Sequence, residues 1–402
     1  MVTTMTTESA PWLLTPGPLS TASEVRSAML RDWGSWDSDF RDLTATVRER
    51  LLALIGAPDT RDNAVPDDEA YECVPIQGSG TFVMEALLGS FVPVDSKSLV
   101  LSNGAYGQRI ATTLGYLGRE HLVLDKGDYL PPRGAEVGAL LDANPGISHV
   151  IVVHCETSSG ILNPLAEIAE VVRERGCKLL IDSMSALGAL PLDCRELDFE
   201  AVASSANKCI EGVPGFGFVL CRRSALIESA GRSHSLALDL HEQWSYMEKT
   251  GQWRFTPPTH SLAAFSAALD LHAAEGGAPG RLARYQRNCE ALVSAMRAAG
   301  FVTLLDEPWL SPIIVTFFNP ADPAFQFDRF YALLKQCGFI IYPGKLTVVD
   351  SFRMGCIGAF DQDVMRAAAE AATQALTEMS VASAAPSAAA LQERNKLLAP
   401  RA

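Results

Sequence analysis

Between Pro75 and Cys221 the chain alternates short, almost unbroken apolar runs with longer stretches in which apolar residues recur every three or four positions. "PIQGSGTFVMEALLGSF" reads as a strand, a glycine turn and a buried helix, and "SLVLSNGAYGQRIATTLGYLG" repeats that order before a short strand, "HLVL". "HVIVVHCETSSG" is a strand ending in hydroxyls, "NPLAEIAEVVRERG" an amphipathic helix, and "KLLIDSMSALG" a buried strand with an acid at its end. Strands that show no polar face are covered on both sides, so this alternation predicts a mostly parallel α/β sheet. "GFGFVLC" returns as an antiparallel strand. Ahead of the sheet, Ser23–Arg31 and Asp39–Gly56 read as helices, the second with Phe40, Leu43, Val47, Leu51 and Leu54 at helical spacing.

The pattern divides the chain into an N-terminal segment (1–22), a large domain (23–260), a smaller α+β domain (261–380) and a low-complexity tail (381–402) that reads as disorder or a frayed helix. The smaller domain contains the strands "PIIVTFF", "GFIIYPG" and "SFRMGCIG" and a final alanine-rich helix.

Composition narrows the function classes. Apolar residues make up 48% of the 402 residues, enough for a large core, and the net charge of −14 argues against a nucleic-acid binder. The nine scattered cysteines show no CxxC pair or zinc spacing, so no metal site is expected. The start, "MVTTMTTESAPWLL", has no leader pattern, and no apolar run is long enough to span a bilayer. A soluble cytoplasmic protein is expected, with no membrane partner.

Four features fall at expected carboxyl ends of strands, where open α/β sheets place their sites. "QGSGT" (Gln77–Thr81) precedes a helix, so its backbone N–H groups can meet an anion; an ordinary strand-to-helix turn is the alternative. Asp182 ends a hydrophobic strand and needs a cation, a metal or a protonated heterocycle, unless it only caps the next turn. Lys208 sits among small residues one strand further on; in a partly desolvated pocket it becomes a nucleophilic amine, and otherwise it is a solvated loop lysine. Arg353 lies on an otherwise apolar strand, and its fork suits an oxygen pair of a carboxylate or phosphonate; a structural salt bridge is the competitor. Together the four describe a pyridoxal-phosphate site: a phosphate cradle, an acid for the ring nitrogen, a lysine for the aldehyde and an arginine for the substrate's anion.

"TPGPLS", "GSGT", "NGAYGQR", "HCETSSG", "IDSMSALG", "SANKCIEGVPGFGF", "FTPPTH", "IIYPGKL" and "FRMGCIG" run in the order found in class V, fold-type I aminotransferases, and the sequence resembles that family over residues 13 to 378. The resemblance implies a large domain with a mostly parallel seven-stranded sheet and a smaller C-terminal α+β domain. It implies pyridoxal 5'-phosphate as cofactor, with Lys208 carrying the coenzyme and moving the proton, and Asp182 pairing with the ring nitrogen. Ser79, Gly80, Thr81 and Asn207 would hold the phosphate, Tyr106 and Met184 would cover the two ring faces, and Thr157 would bond near the phenolic oxygen. Thr256 would reach the phosphate of a partner subunit, which makes a homodimer with a shared site the expected assembly. Arg353 would bind the substrate anions.

Within the class, the resemblance points to transfer from an aminophosphonate to pyruvate, with alanine as product. Another class V transaminase acting on alanine, serine or a hydroxylated aminophosphonate with glyoxylate or pyruvate as acceptor, and lyase chemistry on the same cofactor, remain the alternatives; an interaction protein on an inactive scaffold is disfavoured because all four key residues are present. "DWGSWDSDFR" keeps a Trp-Asp-x-Asp-aromatic pattern of this branch but has Gly34-Ser35 where a Cys-Thr pair is usual; Trp33 and Trp36 read as packing residues.

Overall fold

The computed structural model describes residues 10–58, 65–67, 69–306, 308–344 and 349–398. The start of the N-terminal segment, the last four residues of the tail and the Lys345–Leu346 end of "IIYPGKL" lie outside the described residues.

Seven strands form the central sheet: β1 (Tyr71–Gly78), β2 (Lys97–Ser102), β3 (Glu120–Asp125), β4 (Ile147–Val153), β5 (Lys178–Asp182), β6 (Ala201–Ser205) and β7 (Gly215–Arg222). Their order is β1-β7-β6-β5-β4-β2-β3. All neighbours pair in parallel except β7, which runs antiparallel to both β1 and β6. The expected antiparallel return of "GFGFVLC" is therefore β7.

The unbroken apolar runs have a direct cause. Side chains alternate across a strand, and both faces are dry. Val150, Val152, Leu179 and Ile181 enter one core with α1 (Ser38–Leu54). Ile151, Val153 and Leu180 enter the other with α2 (Gly80–Phe91) and α3 (Ala105–Tyr116). The helix α4 (Thr259–Ala274) also buries Leu262, Phe265 and Leu269 in the first of these cores, although the sequence reading assigns it to the smaller domain. The change of core comes in α5 (Gly277–Ala298), whose Leu292, Val293 and Met296 pack elsewhere.

That other core covers a three-stranded antiparallel sheet, β8 (Ile314–Phe318), β9 (Tyr342–Pro343) and β10 (Ser351–Gly355), in the order β8-β10-β9. Val315, Phe317, Phe352 and Met354 pack there with α5 and α6 (Gln362–Glu378). The N-terminal segment is woven into this part: Trp12–Leu13 pair in parallel with Phe339–Ile340, and Leu14 is fully buried in the same core. Gly355 accommodates the strap, since a Cβ there would lie 2.4 Å from the Thr15 carbonyl oxygen.

The alanine-rich tail is ordered over α7 (Ala388–Leu398), which differs from the disorder or fraying its composition suggests. Leu391, Leu397 and Leu398 pack against the cluster of Tyr129, Leu304, Leu305 and Phe318, and Arg394 donates to the Thr303 carbonyl at 3.2 Å. Of the two tryptophans read as packing, Trp33 lies against Phe40, whereas Trp36 is 75% exposed. Among the described residues, its indole joins none of the hydrophobic clusters. No helix among the described residues is long and apolar enough to cross a membrane.

Candidate active site

Because β1, β2, β4, β5 and β6 point the same way, their carboxyl ends share one edge, and a cavity of about 230 Å³ opens there. It is lined by Ser79, Gly80, Thr81, Tyr106, Thr157, Asp182, Met184, Asn207 and Lys208, so nine of the eleven singled-out residues come together.

Ser79 follows β1 directly and sits at the N-cap of α2 without a side-chain cap bond. The first N–H groups of a helix have no intrahelical acceptor and carry the positive end of its dipole. Gly80 lies close against Met184, since a Cβ there would meet its Sδ at 2.8 Å and oblige that side chain to shift. Asp182 is buried, and its Oδ1 accepts from Met184 N–H at 3.0 Å. No cation lies within ion-pair distance of it among the described residues. Burial pushes its carboxyl up to about 6, and the neighbouring Glu156 adds to this, while Lys208 and Arg109 oppose it. His154, beneath the site, has its Nδ1 3.1 Å from Ser183 Oγ, and burial alone pushes its imidazole down to about 4.

Lys208 follows β6, and its ammonium donates to the Pro16 carbonyl of the N-terminal strap. Gly17 is in the left-handed region (φ +114°), and a Cβ on it would lie 2.6 Å from Lys208 Nζ. The "TPGPLS" turn therefore lies directly on the amine, which explains its prolines and glycine better than a free turn would.

The two remaining residues lie outside the lining. Arg353, only 4% exposed, pairs across β10 with Thr316 and Tyr342. It donates from Nη1 to the Thr157 carbonyl at 2.8 Å and from Nε to the Pro343 carbonyl at 3.0 Å. Both partners are neutral, and no carboxylate pairs with it among the described residues, so the salt-bridge alternative finds no partner. Burial holds its guanidinium below the usual arginine range without neutralising it. Thr256 is exposed, its carbonyl accepts from Gln77 Nε2 at 2.9 Å, and it is not among the residues lining this chain's own cavity.

Sequence reasoning missed three residues. Arg109 lines the cavity, donates to Thr81 Oγ1 at 3.3 Å and stacks 4.9 Å from the Tyr106 ring centroid. Glu156 is fully buried and accepts from the Tyr106 and Gly107 N–H groups, fixing the start of α3. Its signal was present in "ETSSG", beside the threonine that drew attention. Gly17 is the third.

The sequence model described as Aminotransferase class-V matches residues 135–342. The 2-aminoethylphosphonate–pyruvate transaminase of Rhizobium meliloti (strain 1021) is 63% identical, covering 97% of this chain and 99% of that one. An enzyme of Paraburkholderia xenovorans (strain LB400), 2-aminoethylphosphonate–pyruvate transaminase 1, is also 63% identical, covering 96% of this chain and 97% of its own. Among solved structures, pyridoxamine–pyruvate aminotransferase from Mesorhizobium loti superposes with a TM-score of 0.83 at 20% identity, covering 98% of both chains, a likeness of fold alone.

Proposed function

The chain belongs to the aminotransferase class-V family, and from that membership we propose that it moves the amino group of 2-aminoethylphosphonate to pyruvate, releasing phosphonoacetaldehyde and L-alanine. The observation that carries the reading is the single cavity that holds Lys208 and Asp182 together. The names of the 63%-identical relatives support the choice of substrates.

The cavity fits pyridoxal phosphate on two counts. Asp182 is a buried carboxylate in want of a cation, which a protonated ring nitrogen supplies. Gly80 leaves the backbone at the start of α2 bare for the phosphate, beside the hydroxyls of Ser79 and Thr81. When bound, the coenzyme supplies an aldehyde that takes up the substrate amine and a ring that draws electrons from the adjoining carbon.

The chain's own residues do the rest. Lys208 Nζ would take the proton from the substrate carbon that bears nitrogen and pass it to the coenzyme's former aldehyde carbon, and in the second half it would carry a proton back the other way, onto the carbon that becomes that of alanine. Asp182 holds the proton on the ring nitrogen. Tyr106 and Met184 would hold the ring between them, Asn207 would assist the phosphate, and the Thr157 hydroxyl would serve the phenolic oxygen; all four line the cavity. Arg353 binds the phosphonate of one substrate and the carboxylate of the other in turn. Thr256, exposed beside Gln77, reaches the phosphate in a partner subunit, so the working unit is a homodimer. All nine cysteines are free, and six are buried, which fits a reducing cytoplasm.

The test measures L-alanine formed from pyruvate with 2-aminoethylphosphonate, L-serine or a hydroxylated aminophosphonate as donor. The reading expects the highest kcat/KM with 2-aminoethylphosphonate. Faster turnover of another donor shifts the assignment within the class, and ammonia or phosphate release without a keto acid makes it a lyase.

A further inference from the structure

Three residues beyond Lys208 the backbone enters a conformation that side chains avoid. Glu211 has φ +61°, in the left-handed region. Its N–H donates to the Lys208 carbonyl at 2.7 Å, and the next residue's N–H, that of Gly212, donates to Ala206 at 3.0 Å, closing a tight turn around the lysine. Glycine suits such a position best. A carboxylate kept there, and buried, points to work done by the side chain.

That work is visible on α5. Glu211 Oε1 accepts from Tyr285 Oη at 2.7 Å and from Arg284 Nη2 at 2.8 Å, and lies 3.4 Å from Arg281 Nη1. Arg281 also donates to the Cys209 carbonyl at 2.6 Å, inside the same turn. Glu275 pairs with both arginines at 2.6 Å, so two carboxylates balance two guanidiniums in a largely buried cluster. The same stretch of α5 also grips the chain just after β10. Arg284 Nη1 donates to the Phe360 carbonyl at 3.1 Å, and Asn288 Nδ2 to the Cys356 carbonyl at 3.1 Å, three residues beyond Arg353.

We propose that Glu211 is a positioning residue: it locks the Lys208 turn to α5, and through α5 to the strand bearing Arg353, so that amine and guanidinium keep the spacing one substrate length requires. The proposal deepens the reading above and rests on Lys208 and Arg353 having their assigned roles. It makes substrate length, the number of carbons between nitrogen and the anionic group, a property set outside the cavity. Glu211 touches neither substrate nor coenzyme and acts through the turn.

The experiment compares Glu211→Gly with Glu211→Gln in the coenzyme-loaded protein. Glycine relaxes the backbone and removes the side-chain bonds; glutamine keeps an oxygen acceptor for Tyr285 and Arg284. Expected for Glu211→Gly is a kcat about 10–100-fold lower, from a reacting group displaced by a fraction of an ångström. Its preference for 2-aminoethylphosphonate over 3-aminopropylphosphonate should narrow, and the visible coenzyme band should shift. Glu211→Gln should keep wild-type preference and band position at a lower melting temperature, because a buried guanidinium loses its counter-charge. Tyr285→Phe, which removes one bond, should move preference the same way as glycine by less. Glu211→Gly with wild-type kcat per loaded subunit, preference and band would overturn the proposal whatever its melting temperature. Failure of the underlying reading looks different: borohydride reduction of the wild type would then tag a residue other than Lys208.

Discussion

The two halves of the site are built in different ways. The side proposed for the coenzyme is assembled from carboxyl ends of strands in one mostly parallel sheet, and its groups are fixed by short local links: Asp182 to Met184 N–H, Ser79 and Gly80 at the start of α2, Lys208 in a turn closed by Glu211. The side proposed for the substrate rests on Arg353, on an antiparallel strand of another sheet with its own core, reaching the first half through the Thr157 carbonyl. One side positions atoms by backbone geometry, the other by packing between two cores. The division matches the proposed chemistry: a resident coenzyme would need a permanent cradle, whereas two anions of different shape would need one strong cation without a carboxylate bonded to it.

Mutations should separate the halves. Lys208→Ala removes the proton carrier, and alanine formation should fall by about four orders of magnitude or more; retained turnover would remove Lys208 from the mechanism. Arg353→Lys keeps charge but loses the fork, and KM for both 2-aminoethylphosphonate and pyruvate should rise roughly 10–100-fold with coenzyme affinity unchanged. A rise for only one substrate would mean that the two anions do not share the arginine.

Acid should act on the sheet side. His154 is neutral when folded down to about pH 4 but titrates near 6.5 when unfolded. A depressed folded value contributes stability above pH 6.5 that is lost as pH falls toward 4, about 2 kcal/mol of it between pH 7 and 5. Urea titrations of the wild type and His154→Gln should show the variant less acid-sensitive by that amount. Asp182 has the opposite sign: its folded value is raised, so its stability contribution is present below about pH 4 and lost as pH rises through about 6. A bound ring cation reverses this by favouring the carboxylate. Coenzyme affinity should then fall up to tenfold per pH unit below 6 in wild type relative to Asp182→Asn, measured by dialysis titration; parallel profiles would show that Asp182 does not titrate there.

The sheet was legible because burial on both faces leaves its mark in every strand, as in Val150–Val153, and because Asp182 and Lys208 break apolar or small surroundings where strands end. What stayed hidden depends on contacts distant in sequence. Gly17 is explained only by Lys208, whose amine reaches Pro16 across 192 residues. Glu211 reads as a polar loop residue until α5 brings Arg284 and Tyr285 against it. The tail helix was obscured by alanines, which hide the periodicity that Leu391 and Leu398 follow when they meet Leu304 and Phe318.

The most direct test of the central claim, that one cavity runs both halves of an amino transfer, is the visible spectrum of coenzyme-loaded protein through a single cycle. Addition of 2-aminoethylphosphonate without a keto acid should bleach the yellow band to the aminated form, and pyruvate should restore it. No bleaching with this donor, or bleaching that pyruvate does not reverse, would contradict it.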